Sequence, residues 1–389
     1  MEYYDYAQPF ASRRSPVMGV RGAVATSHPL AAQAGVRMLL AGGNAVDAAI
    51  ATAAALVVLE PTSCGLGGDA FAIVWDNGQM YGLNASGRAP EGLSAEAFRR
   101  AGMTKMPTEG WASVTTPGVV SAWSALSRRF GCLPFREVMA PAIEYAREGA
   151  PVPPVIASYW SASQKRFGGR GGVFKEFELA FLPGGRAPLP GEVYRNPDLA
   201  ATLQSIADSS GESFYRGNLA RAIAAHSEAT GGFLTLRDLA EHLPEWVQPV
   251  KIRYRGFDVW EIPPNGQGIV ALMALNIMEG FDLRGAPRLA AESLHVIIEA
   301  LRLAFADAHA YVGDPRAVTV PVDELLSPEY AAARRALISL SGAMAGVAPG
   351  RLSGQETWEP SDGDTVYLST ADWEGMMVSY IQSNYMGFG

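Results

Sequence analysis

The chain has 389 residues, 48% of them hydrophobic, with 42 Gly and 26 Pro, the composition of a globular protein with a sizeable core, not of a disordered or low-complexity one. Its net charge of −8 argues against a general nucleic-acid binder, which needs clustered Lys and Arg to displace phosphate counterions. Two cysteines, Cys64 and Cys132, lie outside any CxxC or CxxH pattern, so neither a disulfide framework nor a zinc site is expected.

From residue 28 to 59 apolar residues recur at helical spacing, interrupted at Gly42-Gly43-Asn44; this predicts two consecutive helices, the second opened by a cap. The second contains the most apolar run, 48–59, which is too short to cross a bilayer. The loop EPTSCGLGGD (60–69) then leads into a hairpin, 70–75 and 79–84, turned at Asp76-Asn77-Gly78, where Asn-Gly favours positive backbone dihedrals.

Helices are expected at 119–130 and 136–149, followed by a Gly/Pro-rich loop at 168–191 and further helices at 197–208 and 216–229. A strand-like run at 250–261, expected as a strand pair like those at about 70–84 and 365–383, reaches the sharp loop PPNGQG (263–268), and 268–279 and 290–312 are again helical by period. Residues 350–364 have no hydrophobic period and several turn formers, which predicts a surface loop. Two strands, 366–371 and 376–383, close the chain as an open hairpin. The expected class is α+β, most simply a sheet covered by helices.

Few motifs carry chemistry by themselves. GLGG (65–68) lacks G-x-G-x-x-G spacing and runs from helix to strand, so it reads as a tight turn and not as a nucleotide loop. The five histidines form no HExxH or close pair, and no GxSxG elbow occurs. Cys64 is either a small buried thiol or a nucleophile activated by a helix end. Thr365 is ordinary as a strand start. If the peptide bond before it is cut, however, one residue supplies both a hydroxyl nucleophile and an α-amine whose pKa of about 8 suits a general base. The N-terminal residues show no signal-peptide pattern, which predicts a cytoplasmic location.

The order of segments across the chain carries more. AAQAGVRMLLAGGNAVDAAIATAAALVVLEPTSCGLGGDAF (31–71), TTPGVVSAWSAL (115–126), GCLPFREVMAPAIEYAREGAPV (131–152), NPDLAATLQSIADSSGESFYRG (196–217), EALRLAFADAHAYVGDP (299–315) and GDTVYLS (363–369) together resemble the γ-glutamyltranspeptidase family of N-terminal-nucleophile (Ntn) hydrolases. The resemblance runs from about residue 20 to the end. It implies an αββα sandwich, helices on both faces of stacked antiparallel sheets, and a precursor that cuts itself between Asp364 and Thr365.

On that resemblance, residues 1–364 are the large-subunit part, with 350–364 as the segment that moves aside after cleavage. Residues 365–389 begin the small subunit, and the hairpin is open because its sheet continues beyond them. Thr365 becomes the nucleophile of an amidohydrolase and acyltransferase that cleaves γ-glutamyl amides such as glutathione through an acyl-enzyme, with water or an amine as acceptor. No metal or organic cofactor, nucleic acid or membrane is implied. Ser383 matches a hydroxyl residue that hydrogen-bonds the nucleophile, or else is an ordinary exposed hydroxyl; Tyr385 stands where many members have an Asn that touches substrate.

The family's glutathione-active members usually have R-E-x-A-P, whose Arg holds the substrate α-carboxylate. The stretch here is SGRAP (86–90), with Ser86 at the Arg position. Either Arg88 substitutes by a shifted path, or the pocket takes another acyl group, as in glutaryl and cephalosporin acylases. An unprocessed, non-catalytic binding homologue is the reading from another class. The family's oxyanion-hole glycines and amine-holding acidic residue lie downstream of 389, so the 389-residue product alone is expected to be inactive.

Overall fold

Helix Ala45–Leu59 (AVDAAIATAAALVVL) is buried along its whole length, on every face. A helix apolar all round belongs inside a protein, and its run of Ala lets layers approach it closely from both sides. Asn44 caps it through a capping box with Asp47. The Asp47 carboxylate also accepts from the backbone of Cys132 and Leu133, which ties the start of helix Phe135–Glu148 to the same point.

In the computed structural model, residues 17–100, 102–283, 285, 289–352, 365–385 and 387–388 are described. Six antiparallel strands form the principal sheet: β1 Gly22–Thr26, β2 Asp69–Asp76, β3 Gln79–Ala85, β4 Glu245–Val247, β5 Val366–Asp372 and β6 Met377–Ser383. Their spatial order is β1-β5-β6-β2-β3-β4. Period-two alternation divides the sheet faces. Ala70, Ala72, Val74, Val366, Leu368, Val378 and Tyr380 are buried against the helices, whereas Phe71, Ile73, Tyr367, Ser379 and Ile381 line an open cleft on the other side.

Polar bonds fix the buried face as well as apolar contact. Gln382 Nε2 donates to Ala53 O at 2.9 Å and Thr370 Oγ1 to Ala45 O at 2.7 Å. The Asp372 carboxylate accepts from Ala45 N at 2.9 Å, placing negative charge at the helix N-terminus, where it is favourable. The β5–β6 hairpin thus hangs from the central helix by three bonds at two heights, Ala45 and Ala53.

A second core lies under helices Gly268–Met278 and Ala291–Tyr311. There Asp307 and Arg334, both buried, pair at 2.9 Å. Asp307 also accepts from Gly350 N at 2.7 Å, and Arg334 donates to Ala348 O at 2.9 Å. The pair therefore pins the backbone that leads toward residue 353 and on to the hairpin.

The helices at 119–130 and 197–208 and both hairpins fall where expected. The strand pair expected at about 250–261 is likewise present as the hairpin Val250–Tyr254 and Phe257–Glu261, turned where Arg255 and Gly256 both take positive φ (52° and 90°), the requirement of a two-residue turn that matches strand twist. Two features differ. The loop at 168–191 contains helix Lys175–Phe181, two turns long and too short to show a helical period between Gly/Pro-rich flanks. The β5–β6 hairpin is not open at either edge: β1 pairs with β5 and β2 with β6. The α+β class holds, and among the described residues the expected sandwich is represented by one helix-backed sheet and its cleft.

Candidate active site

Register brings four residues into one row across the sheet. Val366 pairs with Gln382, so Thr365 stands opposite Ser383; Ser383 pairs with Asp69; and Ala70 pairs with Ala85, so Asp69 stands opposite Ser86. Alternation puts all four on the cleft side, and Thr365, Ser383 and Asp69 line a cavity of about 1440 Å³.

Thr365 Oγ1 donates to Ser383 Oγ at 3.2 Å. Ser383 Oγ also accepts from Tyr385 N at 2.9 Å, so the hydroxyl is oriented by backbone as well as by Thr365. Tyr385 achieves this with a positive φ of 65°, and it too lines the cleft. The chain then folds back: Phe388 N donates to Pro61 O at 2.9 Å, and its ring packs among Phe177, Phe181 and Trp160.

The GLGG turn lies directly beside Ser383. A Cβ built on Gly68 would come within 2.1 Å of Ser383 O, closer than any side chain allows, so glycine here permits loop and strand to touch. Cys64, four residues earlier, is buried and its burial pushes the thiol pKa up, which makes it inert packing. His242 is buried against Ser121 Oγ at 2.9 Å and stacked on Tyr215; burial lowers its pKa to about 4, so it stays neutral. His28 serves as a helix cap through Leu30 N. Among the described residues no group of three or more His, Cys, Asp or Glu side chains is placed to hold a metal ion.

Asp69 is a partly buried carboxyl at the floor of the cleft, and burial pushes its pKa up to about 6. Three further carboxylates, Glu109, Glu176 and Glu261, line the same cavity. Glu109 is paired at 2.7 Å with both Arg166 and Arg170, and hydrogen bonds from these, Arg170 first, hold its pKa below the usual range. Burial raises that of Glu261. The apolar wall is largely aromatic, with Trp111, Phe174, Phe181 and Phe214.

This row of hydroxyl, hydroxyl and carboxyl, with glycine beside it, accompanies a match of residues 31–389 to the family model for gamma-glutamyltranspeptidase. The chain belongs to the gamma-glutamyltranspeptidase family. It is therefore an Ntn-hydrolase enzyme by lineage and fold. The chain is 36% identical over 385 residues to the glutathione hydrolase-like YwrD proenzyme of Bacillus subtilis, covering 96% of this chain and 68% of that protein. It is 35% identical over 387 residues to the acylase ACY 1 proenzyme of a Pseudomonas species, covering 96% and 67%. The crystal structure of a cephalosporin acylase from Bacillus halodurans superposes with a TM-score of 0.90 at 50% identity, over 100% of this chain and 70% of that one.

Seen as a gamma-glutamyltranspeptidase relative, the chain departs from the family's usual motif at SGRAP. Ser86 is held in a neutral network: its Oγ donates to Asn84 Oδ1 at 2.7 Å and accepts from Asn265 Nδ2 at 2.9 Å, while Asn84 Nδ2 donates to Asn265 Oδ1 at 2.8 Å. Arg88 is exposed and is not among the cleft-lining residues. Its backbone carbonyl accepts from Thr116 N, and its charge bears on His242 and Asp314. The structure thus joins Thr365 with Ser383 and sets Arg88 apart from them; Asp364 lies outside the described residues. Asp69 and Asn265 were not singled out from sequence. The only signal for Asp69 was its place one residue before an alternating strand.

Proposed function

We propose that this protein is an autoprocessing amidohydrolase and acyltransferase with Thr365 as its N-terminal nucleophile. In maturation Thr365 Oγ1 attacks the Asp364 carbonyl carbon, the C–N bond breaks, and the resulting ester is hydrolysed. Water supplies the Asp364 carboxylate oxygen, and Thr365 is left with a free α-amine. The two pieces, 1–364 and the one that begins at Thr365, stay associated.

In turnover the α-amine accepts the Oγ1 proton as the hydroxyl attacks a substrate amide. The leaving amine departs with a proton, and water or an amine acceptor releases the acyl group from Thr365. The observation that carries this reading is the Thr365 Oγ1 to Ser383 Oγ contact of 3.2 Å at the floor of a large cleft. The substrates we assign are γ-glutamyl amides, glutathione and its relatives. A glutaryl-type acylase is the second reading, favoured by the half-identical cephalosporin acylase.

Intact mass of the full-length gene product after expression tests the first step. The wild-type protein is expected as two polypeptides divided before Thr365 and Thr365→Ala as one. A wild-type protein that stays uncut and releases no p-nitroaniline from γ-glutamyl or glutaryl p-nitroanilide would remove the enzyme reading.

A further inference from the structure

We infer that Phe388 is a positioning residue for the nucleophile: seated in an aromatic socket outside the principal sheet, it holds Tyr385 N against Ser383 Oγ and through that bond aims the Thr365 hydroxyl. This rests on the reading of Thr365 as nucleophile and deepens it.

The need for an anchor comes from where the ladder stops. Ser383 is the last residue of β6, paired with Asp69. Tyr385, two residues on, gives its N–H to Ser383 Oγ at 2.9 Å while holding a φ of 65°, a left-handed conformation that is costly for a residue with a Cβ. Such a conformation persists where the surroundings over-determine it.

Two backbone bonds lay the segment after Ser383 along the loop 60–63. Asn384 N donates to Ser63 O at 3.5 Å, longer than the usual range, and Phe388 N to Pro61 O at 2.9 Å, within it. Between them Gly387, at a φ of 93°, passes so close that an added Cβ would lie 2.9 Å from Thr62 O. The firm hold is therefore at Phe388.

The socket that receives the Phe388 ring is braced by bonds of its own. Trp160 is buried, with its indole N–H bonded to Phe181 O at 2.7 Å and its ring edge-on to Tyr194 at 4.8 Å. The Tyr194 hydroxyl in turn donates to Ala180 O at 2.8 Å. On this frame the Phe388 ring sits 5.4 Å from Trp160, 4.9 Å from Phe177 and 4.7 Å from Phe181, the spacing of favourable aromatic pairs. The short stretch from Ser383 to Phe388 thus has the ladder at one end and the socket at the other. Loss of the ring leaves the ladder intact and frees the far end, so Tyr385 relaxes from its left-handed conformation and Ser383 Oγ loses that donor.

A double-mutant cycle in the full-length gene product tests this. It is read by p-nitroaniline release from γ-glutamyl or glutaryl p-nitroanilide, whichever the wild type hydrolyses faster, per molecule of cut form. Phe388→Ala is expected to lower kcat about tenfold, the worth of one net hydrogen bond, with KM within about twofold of wild type. On a Ser383→Ala background the same substitution is expected to lower kcat by less than about twofold, because both act through one bond. Leu325→Ala, in the second core and not among the cleft-lining residues, controls for lost stability and is expected to keep kcat. An equal fall on both backgrounds, an unchanged kcat in Phe388→Ala, or a fall of the same size in Leu325→Ala overturns the proposal.

Should Phe388→Ala fail to fold, Phe388→Leu takes its place in the cycle, with an expected fall of about threefold on the wild-type background and none on Ser383→Ala. Equal falls, or none on either background, overturn the proposal. The nucleophile reading fails separately, by p-nitroaniline release from Thr365→Ala at the wild-type rate.

Discussion

Thr365 and Ser383 are separated by 18 residues of hairpin and joined by hydroxyls 3.2 Å apart. Ser383 accepts this bond while also accepting from Tyr385 N, so its own hydrogen is directed away from both. Ser383→Ala removes the acceptor that orients the Thr365 hydroxyl. The expected result is a fall in kcat of about tenfold, the worth of one net hydrogen bond, with little change in KM, checked by steady-state kinetics. Slower appearance of the cut form accompanies it in time-resolved gels.

Gly68→Ala tests the close approach beneath the same pair. The new methyl would have to displace the Ser383 carbonyl, 2.1 Å away, and so the end of β6. We expect a loss of about 1–3 kcal/mol in urea unfolding, typical of overpacking, together with reduced activity. Retention of full activity at full stability would show that the loop yields freely.

The elevated pKa of Asp69 makes a signed prediction about pH. Its carboxyl titrates at about 6 in the folded protein against 3.8 for the ordinary value. Below about pH 4 both states carry the proton and folding loses nothing. As pH rises through about 6 the folded state gives up a proton it held more tightly, and stability falls by at most about 3 kcal/mol. Asn cannot titrate. The difference in urea midpoint between Asp69→Asn and wild type is therefore expected to shift in favour of the variant between about pH 4 and pH 8.

Arg334 and Asp307 form the buried pair next to Gly350. Arg334→Met leaves the Asp307 carboxylate without its cation in the core, an effect of about 3–5 kcal/mol. Chemical denaturation measures it. Asp307→Asn with Arg334→Met together should recover part of the loss, because no uncompensated charge then remains.

Local pattern carried much of the fold. The Asn44 cap, the all-apolar run after it and the Asn77-Gly78 turn each express a short-range rule, and the structure obeys them. Long-range pairing was not legible. Gly22–Thr26 is five small residues with little strand signal, yet it closes one edge of the final hairpin. Register decides the site in the same way: nothing within residues 60–69 says that Asp69 will stand beside Ser383, because that depends on two hairpins meeting over a separation of three hundred residues. Thr365 and Ser383 became visible through segment order, and Arg88 was drawn in by the same resemblance although its exposed side chain lies outside the cleft.

The placement of β5 and β6 between β1 and β2 has a mechanical consequence. A piece that begins at Thr365 would be gripped on both flanks by strands of the upstream piece and hung from helix Ala45–Leu59 by Gln382 and Thr370. Severing the backbone at Thr365 would break none of these bonds. The nicked assembly would behave as an interlocked body whose halves part only when the sheet itself melts, so under the proposed cleavage the peptide linkage would serve as an assembly tether that the cut molecule could discard.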